Sequence, residues 1–215
     1  MICGKKSVFF SIMLSYMALV LSFSIALPIV VRPFYYAHIK PYNLEAESGY
    51  SYEQIKEAYN EMVDFCMFGG EFSTGDMKWS ESGKAHFEDV GKLFRLDAVI
   101  FIVSLSVYVL VSILNRGKMK PTYYGHGPKY WGSWLLLALF SLLIFIAALD
   151  FSQFFVLFHK VFFPGKTNWV FYPSEDEIIN VLPEEFFRNC AIVIALSLVI
   201  ICVVNIIKDK KVETA

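Results

Sequence analysis

The sequence predicts an all-α integral membrane protein: four transmembrane helices, with amphipathic or interfacial helices outside the bilayer. Three observations carry this. Of the 215 residues, 56% are hydrophobic and 18% charged, a balance that soluble domains of this size rarely show. Four apolar runs, at about 8–31, 97–114, 131–149 and 188–207, approach or exceed the length that crosses about 30 Å of hydrocarbon. Basic residues gather in alternate connections, as the positive-inside rule requires.

The first run follows Lys5 and Lys6 and carries no charge. It is too long for the apolar part of a signal peptide, and apolar residues continue past Pro28, so it reads as a retained transmembrane helix. Arg32-Pro33-Phe34-Tyr35-Tyr36 ends it, with His38 close behind, and reads as an interfacial aromatic cluster. Ser51-Tyr52-Glu53-Gln54 is a capping-box pattern that opens an amphipathic helix with Ile55, Tyr59, Met62 and Cys66 on one face and Gly69-Gly70 at its end. That helix is expected on the membrane surface or over the bundle. The stretch holding Gly75 and Trp79 is rich in turn residues and gives no definite shape. A helix from Ser80 to Leu96, with His86, Glu88, Asp89 and Arg95, runs into the second span. After the third span, residues 151–169 read F-S-Q-F-F-V-L-F-H-K-V-F-F-P-G-K-T-N-W. Phe151, Phe155, Phe158 and Phe162 fall on one helical face with His159 at its border, and Pro164-Gly165 stops the helix. The region suits the lipid headgroup zone.

Arg116, Lys118, Lys120 and Lys129 between the second and third spans, the lysines at the N-terminus, and Lys208, Lys210 and Lys211 at the other end place both termini on the cytoplasmic side. Segments 32–96 and 150–187 then face outward, in a single membrane domain over 1–215. A net charge of -1 gives no basis for a nucleic-acid partner. The 4 cysteines, Cys3, Cys66, Cys190 and Cys202, have no zinc-site spacing. A Cys66–Cys190 disulfide stands against buried free thiols as the alternative.

G-x-S-x-G, H-E-x-x-H and phosphate-loop patterns are absent. What remains is a set of polar residues in or beside the outward segments: His86, Glu88, Asp89, Arg95, Asp97, Asp150, His159, Asn168 and Arg188. Arg95 and Arg188 suit snorkelling to phosphates. Asp97 and Asp150 suit helix dipoles and pairing with those arginines. His38 reads as interfacial and His126 as a solvated loop residue. His86 and His159 stand apart because both fall at headgroup depth on the outer side, and imidazole moves protons near neutral pH without a metal. His86 and Asp89 at i and i+3, with His159, form a rival metal-ligand set.

His86–Phe94, H-F-E-D-V-G-K-L-F, followed by a span, resembles the first signature of the bacterial lipoprotein intramolecular transacylases, formerly a domain of unknown function. Phe158–Phe163, F-H-K-V-F-F, then Asn168-Trp169, Pro173, Ile178-Ile179 and Pro183 with Phe186-Phe187, resembles the second. The likeness covers nearly the whole chain. One departure is visible: the family has an asparagine–aspartate pair shortly before the tryptophan, where this chain has Pro164-Gly165-Lys166-Thr167-Asn168.

The resemblance implies a multi-pass enzyme of the bacterial plasma membrane, active at the outer leaflet. It would move the sn-2 acyl chain of a diacylglyceryl-cysteine lipoprotein to the α-amino group of the same cysteine, giving a lyso-form lipoprotein. His86 and His159 are the implied catalytic pair. From the proton transfers the reaction needs, His86 is expected as base and His159 as acid, with an acyl-imidazole route on His159 as the variant. Arg95, Asn168 and Arg188 are expected near the oxyanion, and Asp89, Asp150 and Trp169 complete the expected site. Diacylglyceryl lipoprotein and membrane lipids are the partners, the protein is expected to be a monomer, and no cofactor or metal is implied. Composition and periodicity leave open two other classes, a non-enzymatic sensor or accessory protein and a metal-dependent lipid hydrolase.

Overall fold

The structure is a computed structural model that describes residues 2–117 and 122–210, with side chains described from Lys6 onward. Lys118, Lys120 and Lys211, and the side chains of Cys3 and Lys5, therefore lie outside the described residues. The chain forms α1 (Ile2–Val30), α2 (Pro33–Ile39), α3 (Leu44–Ser48), α4 (Tyr52–Phe68), α5 (Glu81–Leu114), α6 (Pro128–Leu149), α7 (Phe151–Phe162), a 3₁₀ turn (Glu177–Val181) and α8 (Glu184–Lys208). Extended pairing among the described residues is limited to isolated bridges. Four helices, Lys6–Val30 of α1 with α5, α6 and α8, are long and apolar enough to cross a membrane. α6 begins at Pro128, three residues ahead of the predicted span, because proline fits the first helical turn. α8 begins at Glu184, where Glu184 and Glu185 complement the helix dipole.

α5 is a single helix of 34 residues, about 51 Å at 1.5 Å per residue. That is far more than the hydrocarbon layer needs, and the charges of 81–96 are concentrated in its first half. The transmembrane part is therefore the uncharged run after Asp97, and residues 81–96 stand outside it.

The described residues group into two compact units. The first holds α1 up to Ile25, residues from Asp97 to Phe145, and α8 from Val193. Its core is Tyr16, Val20, Leu136, Leu198 and Cys202. A Cβ on Gly132 would stand 3.1–3.3 Å from Met13, Tyr16 and Met17, so the missing side chain lets α1 and α6 approach closely. Tyr16 and Ser133 share a 2.9 Å hydrogen bond there. His126 differs from its sequence reading as a solvated loop residue. Its ring stacks on Tyr130 at 4.0 Å, and Nδ1 lies 2.7 Å from Asp209 Oδ2.

The second unit comprises Ala26–Leu96 and Ile146–Ile192. α4 has the full capping box between Ser51 and Gln54 and ends at Gly69 with φ +76°. Its predicted face is buried: Ile55, Tyr59, Met62 and Cys66 all belong to the core. Tyr35 is fully buried rather than interfacial. It stacks on Tyr59 at 3.7 Å and donates to the Val181 carbonyl. His38 is likewise engaged, between the Phe34 carbonyl and the Asn189 side chain. Cys66 and Cys190 are free thiols, which removes the disulfide option. The stretch with no definite sequence reading is tied down by Glu61, whose Oε2 receives Ser73 Oγ at 2.5 Å and Gly75 N at 2.8 Å.

Candidate active site

The second unit assembles the site from the first turns of α5, the end of α7 and the loop after it. Asp176, 4% exposed, fixes the start of α5 by accepting from Ser80 N and Ser80 Oγ, each at 2.8 Å. Ser80 Oγ in turn caps the helix through Gly83 N. The contact works only because residue 83 is glycine, since a Cβ there would stand 2.1 Å from Asp176 Oδ1. One turn on, the same helix carries His86 and Asp89. α7 starts at Asp150, which accepts from Gln153 N at 3.0 Å, and the chain turns away at Gly165 with φ +74°. In α7 the border residue of the phenylalanine face is the most buried one. His159 is buried, while Phe158 and Phe162 are exposed, because the neighbouring side chains cover the histidine edge of the helix.

His86 and His159 face each other with ring centroids 5.8 Å apart and planes at 33°. They are 5% and 7% exposed. Phe163 and Phe171 meet the His86 ring edge-on at 5.0 and 5.4 Å. Trp169 stacks on His159 at 4.9 Å, with its Nε1–H donating to the Lys166 carbonyl at 2.9 Å. A hydrogen bond fixes the tautomer of His159. His159 Nδ1 lies 2.7 Å from the Phe155 carbonyl, which can only accept, so Nδ1 carries the proton and Nε2 a bare lone pair. His86 Nδ1 is buried without a partner. An orphaned N–H is rarer and costlier than an unused acceptor, which favours the lone pair on Nδ1 and the proton on Nε2. Burial, then the neighbouring His159, holds the His86 pKa down to about 4, against the opposing effect of Asp89. Burial also lowers that of His159, opposed by the Phe155 carbonyl. Both rings are therefore neutral at pH 7.

Asp89, 6% exposed, is the third buried polar residue here. Its carboxylate receives Lys166 Nζ at 2.5 Å, Lys92 Nζ at 2.8 Å and Asn168 Nδ2 at 3.3 Å. Burial pushes its pKa up, but these bonds outweigh that and bring it down to about 2. With its oxygens so occupied, Asp89 does not join the two histidines as a metal ligand. Among the described residues there is no group of three His, Cys, Asp or Glu side chains arranged to hold a metal ion.

The other expected site residues divide. Asn168 and Trp169 sit at the histidine pair and Asp89. Arg95 does not, as its Nη1 donates to the Cys66 carbonyl at 3.1 Å. Gly91 lies beside that contact and has no room for a Cβ against the same carbonyl. Asp150 is an exposed helix cap. Arg188 is exposed and forms no ion pair among the described residues. Among the described residues, neither Asp97 nor Asp150 forms an ion pair with these arginines, and Asp150 instead caps α7 through Gln153. Lys166, Phe163, Phe171, Asp176 and Gly83 were not legible as site residues. Asp89 and Lys166 are 77 positions apart, and no local pattern joins them.

The family model described as lipoprotein intramolecular transacylase Lit matches residues 9–187. The chain belongs to this family. Three solved structures of the membrane-integral Lit from Bacillus cereus are similar in fold. One has a TM-score of 0.86 at 23% identity, covering 95% of this chain and 94% of that one. Two others, in each of which a histidine is replaced, by arginine or by alanine, have TM-scores of 0.76 and 0.77 at 23% identity, covering 94% of this chain and 89% and 90% of theirs. No curated protein sequence matches. The lipoprotein intramolecular transacylase described here is thus an all-helical membrane acyltransferase.

Proposed function

We propose that His86 and His159 carry the acyl transfer, and that they do so as neutral rings in different roles. The reaction joins two groups of one substrate molecule, so much of the rate comes from holding amine and ester together, worth about 7–11 kcal/mol. The α-amine of the lipidated cysteine attacks the carbonyl carbon of the sn-2 ester. A C–N bond forms and the carbonyl oxygen becomes negative. His86 Nε2–H donates to that oxygen, as a neutral imidazole does when its pKa is held far below the working pH. The attacking nitrogen becomes strongly acidic once bonded, so a weakened base is sufficient. His159 takes its proton on Nε2 and returns it to the sn-2 oxygen as the C–O bond breaks. The products are an amide on the cysteine nitrogen and a free glycerol hydroxyl, with both histidines restored.

The observation that carries this is the two buried rings 5.8 Å apart, with His159 Nδ1 on the Phe155 carbonyl and His86 Nδ1 without a partner. On this reading the base and acid roles are the opposite of those expected from the sequence. That solved Lit structures include variants at a histidine accords with a histidine-based site. We place the site at the outer leaflet of the bacterial plasma membrane, with both termini cytoplasmic, on the strength of the basic residues between the second and third spans and at the ends. The exposed apolar side chains of α7, Leu157, Phe158, Val161 and Phe162, suit contact with acyl chains, and the protein acts as a monomer.

Mass spectrometry of the N-terminal lipopeptide, from a diacylglyceryl lipoprotein treated with purified protein, tests the reading. Wild type yields a product of unchanged mass with one acyl chain on the amine. His159→Ala and His86→Ala each lose about 10²–10⁴-fold in rate. Free fatty acid as the product, or undiminished transfer by either variant, rejects it. Acyl-protein trapped on wild type but not on His159→Ala replaces the one-step route with an acyl-imidazole on that ring.

A further inference from the structure

We infer that Asn168 is the amine-binding residue of the site, its Oδ1 accepting an N–H from the α-amino group of the substrate's terminal cysteine. The inference rests on the transacylase reading and gives it a substrate contact. The orientation of the Asn168 amide is set chemically: Nδ2 faces the Asp89 carboxylate, which can only accept, so the other end is the carbonyl oxygen. That oxygen is buried and has no donor. A buried carbonyl oxygen with both lone pairs empty is uncommon, and this one suits a ligand that brings an N–H or O–H. The next residue, Trp169, lies on the ring of His159, whose Nε2 receives the amine proton in the reaction. Asn168 thus adjoins in sequence the tryptophan that lies on the proton-accepting ring.

The surroundings suit an amine that must react rather than an ammonium held for its charge. A carboxylate contact would favour the protonated form, which cannot attack. Here the nearby carboxylate, Asp89, is already matched by Lys92 and Lys166, and a neutral amide makes the contact. Asp89, Lys92, Lys166 and Asn168 border an open cleft of about 380 Å³, with exposed Glu88 at its edge.

The test is a binding measurement that needs no turnover. Two lipopeptides carry an ether in place of the sn-2 ester. One has the free amine, and in the other the amine is replaced by hydrogen. Dissociation constants are measured in detergent with the full chain. Wild type should bind the amine form about tenfold tighter, the scale of one well-made hydrogen bond to a charged or polar partner. Asn168→Leu should bind both alike, with the affinity for the amine-free form unchanged. Equal weakening of both ligands by Asn168→Leu, or preserved discrimination, overturns the inference. Because these ligands do not react, such a result leaves the N-acylation result of the ester substrate standing, and absence of N-acylation leaves this one to be judged by itself.

Discussion

Gly83→Ala separates helix propensity from tertiary structure. On propensity alone, alanine in a helix stabilises by about 1 kcal/mol relative to glycine. The structure demands the opposite. A Cβ at 83 would stand 2.1 Å from Asp176 Oδ1, 2.7 Å from its Cγ and 3.1 Å from Phe171 Cε1. Asp176 is buried and holds two bonds to Ser80, so it cannot move without releasing the start of α5. Overpacking costs about 1–3 kcal/mol, and losing a bond to a charged acceptor about 1.5–3 kcal/mol. After subtracting the propensity gain, the net destabilisation is about 3 kcal/mol, and Tm falls by on the order of 10 °C. Phe171, displaced with Asp176, packs on His86, so N-acylation by the folded variant should fall as well. Thermal unfolding followed by circular dichroism in detergent measures the first effect. Ser82→Ala, at an exposed position on the same turn, should stay within about 0.5 kcal/mol of wild type. A Gly83→Ala protein that melts at or above the wild-type temperature refutes the packing argument.

NMR titration of the imidazole C–H signals should give midpoints below 6.5 for both His86 and His159, with His86 near 4. The unfolded chain takes up the His86 proton near 6.5 and the folded one resists it down to about 4. Stability is therefore lost as pH falls through that window, by about 3 kcal/mol from this residue, and His86→Phe should remove that part of the acid sensitivity. Lys166→Gln should raise the His86 midpoint, because a repelling cation is gone, and raise that of Asp89 from about 2, while Lys166→Arg leaves both near wild type. Asp150→Ala should cost about 1 kcal/mol as a lost cap and leave the N-acylation rate within a few-fold of wild type.

The helices were legible because their signals are local. The capping box at Ser51–Gln54, the run lengths and the stop at Pro164-Gly165 each act over a few residues, and each recurs in the structure. Tyr35 was less legible for a related reason. An aromatic cluster after a span fits an interface, but nothing nearby in sequence reveals that Tyr59 and Val181 enclose Tyr35. Arg95 and Asp150 were drawn into the expected site by their position, whereas backbone groups beside them, the Cys66 carbonyl and Gln153 N, take them first.

For the site, the sequence by itself determined which residues had the chemistry: two histidines on segments flanking spans, with motifs that matched a family. Only the tertiary structure shows what each ring meets, on which the proposed roles rest. A tautomer depends on what each ring nitrogen meets, and the Phe155 carbonyl, the empty surroundings of His86 Nδ1 and the pairing of Lys166 with Asp89 are contacts in space. The Lys166–Asp89 pair joins residues 77 positions apart, so no spacing along the chain encodes it.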